Sequence, residues 1–450
     1  MKIKPAQGRI ALFGNFGTGN LGNEATLQAM VYNVRRHLPT SDLWCVCPAP
    51  EKTALDLGIP AVSIRARWPL WKLTPRNDQA NNTAAVTREA TLLGFRRWFS
   101  VLARLRVPLR LCALPLLETY RWLRVVAMLR QSDCLIMTGT GMVGDFAIKP
   151  LGLHYDIFRW AVVSKLCGCK LLFVSVGSGP IPHPLSRFFV KTALRFADYR
   201  SYRDSCSKDF LAAMGLDVND DVVCPDLAFS LPLISAIPKI DLCPAEKRLV
   251  IGVGLLNYHH RRGGPGRDMS IYSAYLDAIA SLVIRLIQNK YVVRIVVGDV
   301  VWDEDVRRDL KRLLEKKGAD YANGSILDEQ ISSVDGLVAQ LSSIDIMIAS
   351  RYHNALLTLM LARPVIALSY HEKFQPLMDG VGLGEFCFDI EKIDINKIME
   401  GITQLSGSLE FQNQVARATK SYRVALERQY ETILQTLESE MLYSVESRDV

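Results

Sequence analysis

The sequence predicts an α/β protein made of two Rossmann-like, doubly wound domains, with a helical, arginine-rich insertion in the first. Three observations carry this reading. Short β-branched runs alternate with helical patterns along most of the 450 residues, as in parallel sheets covered on both faces. Several of these runs end in glycine. The alternation then restarts after a stretch with three prolines, residues 230–247, read as a linker. A chain this long exceeds one ordinary core. It divides into an N-terminal domain at 1–235, a second domain at 246–400 and a helical tail at 401–450.

In the first domain a strand at Arg9–Phe13 leads through a glycine-rich turn into a helix at Gly22–His37, followed by a strand at Leu43–Cys47. Further strands fall at Cys134–Met137 and Leu171–Val176. In the second domain strands at Leu249–Val253, Val292–Val297, Ile344–Ala349 and Val365–Leu368 alternate with helices at Tyr275–Asn289 and Glu304–Lys317, from about His353, and from near Lys373. The tail reads as one amphipathic helix from Leu409 to Leu442, with Val415, Tyr422, Leu426, Tyr430, Ile433, Leu437 and Met441 near one stripe. Such a helix can pack back across the domain junction.

The insertion, residues 65–130, carries Trp68, Trp71, Trp98 and Trp122. Between Arg96 and Arg130 it holds eight arginines and one acid, Glu118. Arginine among Trp, Phe and Leu at this density suits a helix lying in the headgroup plane of an anionic membrane, or a surface hairpin with snorkelling arginines. The longest greasy region, Phe99–Met128, is interrupted too often to approach the ~20 apolar residues of a membrane span.

Composition narrows the function. With 49% hydrophobic and 22% charged residues the chain is globular rather than disordered. A net charge of +8 spread over this length fits an anionic substrate or membrane surface, and no nucleic acid is expected as a partner. The ten cysteines show no zinc-finger spacing and read as reduced core residues. With a start, MKIKPAQGRIALFGN, that lacks an apolar signal core, they point to the cytoplasm, peripheral at the inner face of the plasma membrane. No histidine cluster has metal-ligand spacing, so neither metal nor cofactor is expected.

Five motifs can carry chemistry. GNFGTGNLGNEA (Gly14–Ala25), TGTGMVGD (Thr138–Asp145) and SVGSGP (Ser175–Pro180) each follow a strand. In one parallel sheet all three open on its carboxyl edge, where ligands bind. SYRDSCSKDFLAAMG (Ser201–Gly215) places Arg203 just before a helix that Asp204 or Ser205 can cap. In the block Ala349–Phe374, a buried strand delivers Arg351 and His353 to a helix start, and Lys373 arrives at the next one. Guanidinium, imidazole and helix N-terminus together can hold a phosphate or carboxylate and move a proton. His259 and His260, beside Arg261 and Arg262, read as a basic loop; His154, His183 and His371 have no clear partner in the sequence.

In order, Gly14–Ala25, Gly139–Asp145, Gly177–Pro180, Tyr202–Ser207 with Gly215, Pro225–Phe229, and Arg351–His353 through Tyr370–Lys373 resemble the polysaccharide pyruvyl transferase family. The resemblance covers roughly 9–50, 130–232 and 248–390. It implies two Rossmann-like domains facing a cleft, GT-B-like, and transfer of pyruvate from phosphoenolpyruvate onto two hydroxyls of a sugar as a ketal. The acceptor would be a bacterial surface polysaccharide, an exopolysaccharide or its lipid-linked oligosaccharide precursor. By resemblance, Arg203, Arg351, His353 and Lys373 bind the donor, with His353, Arg351 and Arg203 catalytic. Asn20, Glu24, Asp145 and Asp226 are the candidates for the acceptor. Asn23, Thr140 and Tyr352 stand where the family commonly has aspartate, glycine and an aliphatic residue. The alternatives are a GT-B glycosyltransferase using a sugar nucleotide, and a non-catalytic assembly subunit that has kept the fold.

Overall fold

A computed structural model describes residues 8–65, 115–144, 149–232, 248–259, 268–319, 321 and 323–446. The first unit runs β1 (Arg9–Phe13), α1 (Leu21–His37), β2 (Asp42–Cys47), α2 (Pro50–Leu57), β3 (Ala61–Ser63), α3 (115–129), β4 (Cys134–Thr138), α4 (Leu153–Leu166), β5 (Lys170–Val176), α5 (Pro184–Arg195), β6 (Tyr199–Tyr202), α6 (Ser205–Ala213) and β7 (Val222–Val223). Its strands pair in parallel in the order β3-β2-β1-β4-β5-β6-β7. The second unit runs β8 (Val250–Leu255), α7 (Met269–Gln288), β9 (Val292–Val297), α8 (Glu304–Lys316), β10 (Ile326–Leu327), α9 (Val334–Ser342), β11 (Ile346–Ala349), α10 (Tyr352–Met360), β12 (Val365–Ser369), α11 (Phe374–Gly380) and β13 (Cys387–Asp389). It too is parallel, in the order β10-β9-β8-β11-β12-β13.

Both sheets therefore start in the middle, grow one way for two strands, then reverse. The reversal lies between β1 and β4 in one sheet and between β8 and β11 in the other. At such a point the two flanking crossovers leave opposite faces of the sheet, opening a crevice at the strands' carboxyl ends. The Gly14 and Gly139 motifs sit at the first reversal and Arg351 at the second.

Strands β1, β4 and β11 are buried along nearly all their length, which explains why they read as unbroken apolar runs. Helix α7 begins at Met269, six positions before the expected start, because the Asp268 side chain caps it by accepting from Ser270 N and Ile271 N. By length and composition α7 could cross a membrane, a possibility the sequence reading passed over. Its Tyr275, Ile279, Val283 and Leu286 are buried in the core around the second sheet. Of the insertion, 66–114 lies outside the described residues, and 115–129 is helical, with Val125 and Leu129 in the first sheet's core. Most of the linker, 233–247, likewise lies outside them.

After α12 (Ile395–Leu405) the chain ends in the long helix α13 (Leu409–Glu446). Of the expected stripe, Val415, Leu426, Tyr430, Ile433 and Leu437 are buried, joined by Leu434, and Tyr422 is half-buried; the Met441 side chain lies outside the described residues. The helix leaves the second unit and packs on the first. Gln414 and Tyr422 lie against Gly382 and Gly380. The Tyr430 hydroxyl sits 3.1 Å from Ser230 Oγ, and Gln429 donates to Ser175 Oγ and accepts from the Tyr199 hydroxyl. Ser175 is a buried residue in the left-handed region (φ 49) at a register shift between β5 and β6. The irregularity redirects the chain into the Gly177 turn, and α13 holds it there. Tyr430→Ala should destabilise the protein by about 3–5 kcal/mol, seen as a lower denaturation midpoint. An unchanged midpoint would mean α13 is not the brace described.

Candidate functional site

The loop after β1 is shaped by its own polar residues. Gly17 and Gly19 have φ of 76° and 96°. A Cβ on Gly17 would lie 2.5 Å from Ala49 O, and one on Gly19 would lie 2.6 Å from Val301 Cγ2, so neither place admits a side chain. Buried Glu24 accepts from Gly17 N at 2.6 Å, while burial pushes its carboxyl above the usual range. Asn20 caps α1 by accepting from Gly22 N and Asn23 N. Glu24 and Asn20, two of the four acceptor candidates, thus have oxygens engaged in building the loop. The loop in turn joins the two units: Leu21 N donates to Gly298 O (2.9 Å) and Val300 N to Gly19 O (2.9 Å).

The other first-unit motifs meet beside it. Ser178 Oγ donates to Val143 O and Ser178 N to Ser207 Oγ, tying three motifs together. Gly177 leaves room for Arg203, whose Cζ would lie 2.4 Å from a Cβ there. Asp204 caps α6 by accepting from Ser207 N at 2.6 Å, as expected. It also takes Arg203 Nε at 3.2 Å, while Arg203 Nη1 stands 3.7 Å from Asp226 Oδ2. Asp145 lies outside the described residues.

From the second unit, Arg351 makes a two-pronged pair with Asp303, Nε to Oδ2 at 2.5 Å and Nη2 to Oδ1 at 2.6 Å. Asp303 is itself fixed by accepting from Asn257 N and Asp299 N. The pair locks the guanidinium's orientation, and Nη1 takes no part in it. Lys373 Nζ donates to the Tyr370 hydroxyl at 2.9 Å. Burial alone would raise the Tyr370 phenol, but Lys373 and then Arg351 outweigh it and hold it below its usual range. Tyr352 spans the junction, its ring 4.8 Å from the Arg203 guanidinium and 5.4 Å from Lys373 Nζ.

His353 lies at the centre, with 15% of its side chain exposed. Its ring packs so tightly on α1 that a Cβ on Gly22 would lie 2.1 Å from Cγ and Nδ1. Nε2 makes no hydrogen bond and stands 3.8 Å from Asp226 Oδ2, which makes none either. Burial, then Lys373, Arg203 and Arg351, drive its pKa well below the usual value, so the imidazole is neutral. Burial also pushes Asp226 upward, against the pull of Arg203. No side chain caps α10, whose first turn starts at this point, so its N–H groups favour an anion.

Arg203, Arg351, His353, Lys373 and Asp226 are therefore brought together from both sheets' carboxyl edges. Sequence reading missed Asp303, Asp299, Tyr352 and Tyr370 as members. An acid six residues beyond β9 in a charged helical pattern gives no sign that it clamps Arg351. The histidines without an obvious partner acquire ordinary ones: His183 caps α5, His154 Nε2 lies 3.2 Å from Gly144 O, and His371 Nδ1 accepts from Lys373 N. Among the described residues no group of three or more His, Cys, Asp or Glu is placed to hold a metal ion. A groove of about 440 Å3 is lined only by α13 residues, Arg417 to Arg428, and takes no part in the site.

A family model described as polysaccharide pyruvyl transferase matches residues 20–372. No curated protein matches the chain. Among solved structures, a putative UDP-N-acetylglucosamine 2-epimerase from Listeria monocytogenes is similar at TM-score 0.55 and 13% identity, covering 97% of this chain and 98% of that one. The UDP-GlcNAc 2-epimerase of Neisseria meningitidis, bound to UDP-GlcNAc, gives 0.54 and 12%, covering 96% and 99%. That of Methanocaldococcus jannaschii gives 0.55 and 10%, covering 94% and 99%. At these identities the likeness is one of fold, the GT-B arrangement of two Rossmann-like domains.

Two outcomes test this geometry. Gly22→Ala should cost about 1–3 kcal/mol through overpacking on His353, measured by urea denaturation; a neutral effect would place the imidazole elsewhere. Because the folded pKa of His353 is depressed below 6.5, the unfolded state binds the extra proton. The neutral imidazole's contribution is present in full above that pH and is lost as pH falls below it. Relative to wild type, His353→Gln should gain melting temperature between pH 7 and pH 5, and a constant difference would contradict a neutral buried imidazole.

Proposed function

Because the chain belongs to the polysaccharide pyruvyl transferase family, we propose that it transfers pyruvate from phosphoenolpyruvate to two hydroxyls of a sugar, releasing phosphate and leaving a ketal. The acceptor is a saccharide of a bacterial surface polysaccharide or its lipid-linked precursor. The observation that carries the reading is the convergence of Arg203, Arg351 and Lys373 on a neutral His353 beside an uncapped helix start. Phosphoenolpyruvate carries about three negative charges. A cleft with two oriented guanidinium groups and an ammonium suits that anion.

In this reading the donor lies between the two units, beside the Gly19–Val300 contact. His353, neutral, takes the proton of the first attacking hydroxyl as its oxygen adds to C2. His353 passes that proton on to C3, which becomes the methyl group, and returns to its neutral state. The C2–O bond to phosphate then breaks, the second hydroxyl oxygen bonds to C2, and its proton leaves with the phosphate. Arg351, held by Asp303, and Arg203, held by Asp204 and Asp226, stabilise the carboxylate and the departing phosphate. Bound donor offsets the cations around His353, which makes the imidazole a stronger base when the donor is present.

The experiment is incubation with phosphoenolpyruvate and lipid-linked oligosaccharides, following inorganic phosphate and product mass. Donor-dependent phosphate with a pyruvylated product is expected, and His353→Ala should lower turnover by about 10²–10⁴. Near-normal turnover in that variant would remove His353 from proton transfer. Thermal stabilisation by a sugar nucleotide but not by phosphoenolpyruvate would favour glycosyl transfer instead.

A further inference from the structure

Helix α3 is apolar on two sides. Val125 and Leu129 are buried in the first sheet's core. On the other side Leu116, Tyr120 and Leu123, spaced four and three residues apart, are 65%, 39% and 62% exposed. A helix apolar on opposite sides needs cover on both. Half-buried Trp122, which packs with Val125 and Leu129 against the first sheet's core, contacts Phe158 of α4 (ring centroids 6.4 Å), and Phe158 contacts Phe188 of α5 (5.9 Å). Phe188 is 56% exposed.

Charge says what covers this face. Helices α3, α4 and α5 carry seven arginine and lysine side chains against two carboxylates, Glu118 and Asp156, and one of the seven, Lys165, pairs with Asp198 beyond them. Both carboxylates bond to Arg159, which is 1% exposed, so their charge is compensated inside the layer. Helix α5 has no acid, and Arg187 and Arg195 are exposed on it beside Phe188. A second copy of the same face would meet it cation to cation. An anionic lipid surface satisfies both the apolar stripe and the cationic surround.

We propose that the α3–α5 face docks on a bilayer containing anionic phospholipid. Leu116, Tyr120, Leu123 and Phe188 enter the boundary of the acyl region, and the surrounding arginines engage headgroup phosphates. The proposal stands on this surface alone and is independent of which donor the cleft takes.

The test is co-sedimentation of the full chain with vesicles of phosphatidylcholine alone or of equal parts phosphatidylglycerol and phosphatidylcholine. The full chain should pellet with the anionic vesicles, and raising the salt should release it. Leu123→Glu combined with Phe188→Glu should lower partitioning about tenfold or more at unchanged melting temperature. If that variant does not fold, Leu116→Gln with Phe188→Gln should lower partitioning in the same direction. Three results would overturn the proposal: wild type that stays in the supernatant, a folded variant that pellets like wild type, or a wild-type dimer in solution that these substitutions convert to monomer.

Discussion

A guanidinium group removed from water must keep a carboxylate partner, and this site is arranged around two of them. Arg203 and Arg351 come from different sheets, and each is clamped by acids of its own half: Asp204 and Asp226 for one, Asp303 with Asp299 behind it for the other. An unpaired buried charge would cost several kcal/mol. The clamps remove that cost and fix where each guanidinium can face. What they leave between them are His353 Nε2 and Asp226 Oδ2, 3.8 Å apart and neither making a hydrogen bond, with Asp226 Oδ2 also facing Arg203 at 3.7 Å. Buried polar atoms without partners are rare in folded proteins and cluster where a ligand is handled.

The same electrostatics decides the state of the imidazole. A histidine beside a buried aspartate would ordinarily be drawn toward protonation, yet here burial and three nearby cations outweigh that pull and hold its pKa well below the usual value. The result is a neutral base in a field prepared for an anion. Close packing makes the arrangement exacting. Gly22 and Gly177 each admit a functional side chain to a distance at which a Cβ would collide. In these motifs glycine provides space for His353 and Arg203, more than it provides backbone freedom.

Helix α13 explains how two separate sheets present one site. It leaves the second unit, then buries Leu426, Tyr430 and Leu434 near the 3-10 turn Leu227–Ser230 and places Gln429 on Ser175. That turn carries Asp226 at its cap, and Ser175 begins the Gly177 turn under Arg203. The brace and the two loops that define the first unit's half of the site are thus mechanically one assembly. The outer α3–α5 layer lies in a different core cluster from the one containing α1, α10 and α13, so a surface can be engaged there without entering the site.

Local chemistry determined much of this protein. Apolar runs of strand length ending in glycine set the parallel sheets, because fully buried strands tolerate no polar interruption. The tail's stripe marked its buried face from Val415 to Leu437, and a strand tip delivering Arg351 and His353 marked the second unit's half of the candidate site. Tertiary structure alone decided the rest. Asp303 is 48 residues from Arg351, and Asp226 is 127 residues from His353; no local pattern encodes such pairings. Glu24 and Asn20 looked like ligands for a sugar, and only the folded loop shows their oxygens bonded to its own backbone. The histidine's neutrality also belongs to the fold, since it arises from burial and from Lys373, Arg203 and Arg351, of which Arg203 comes from the other half.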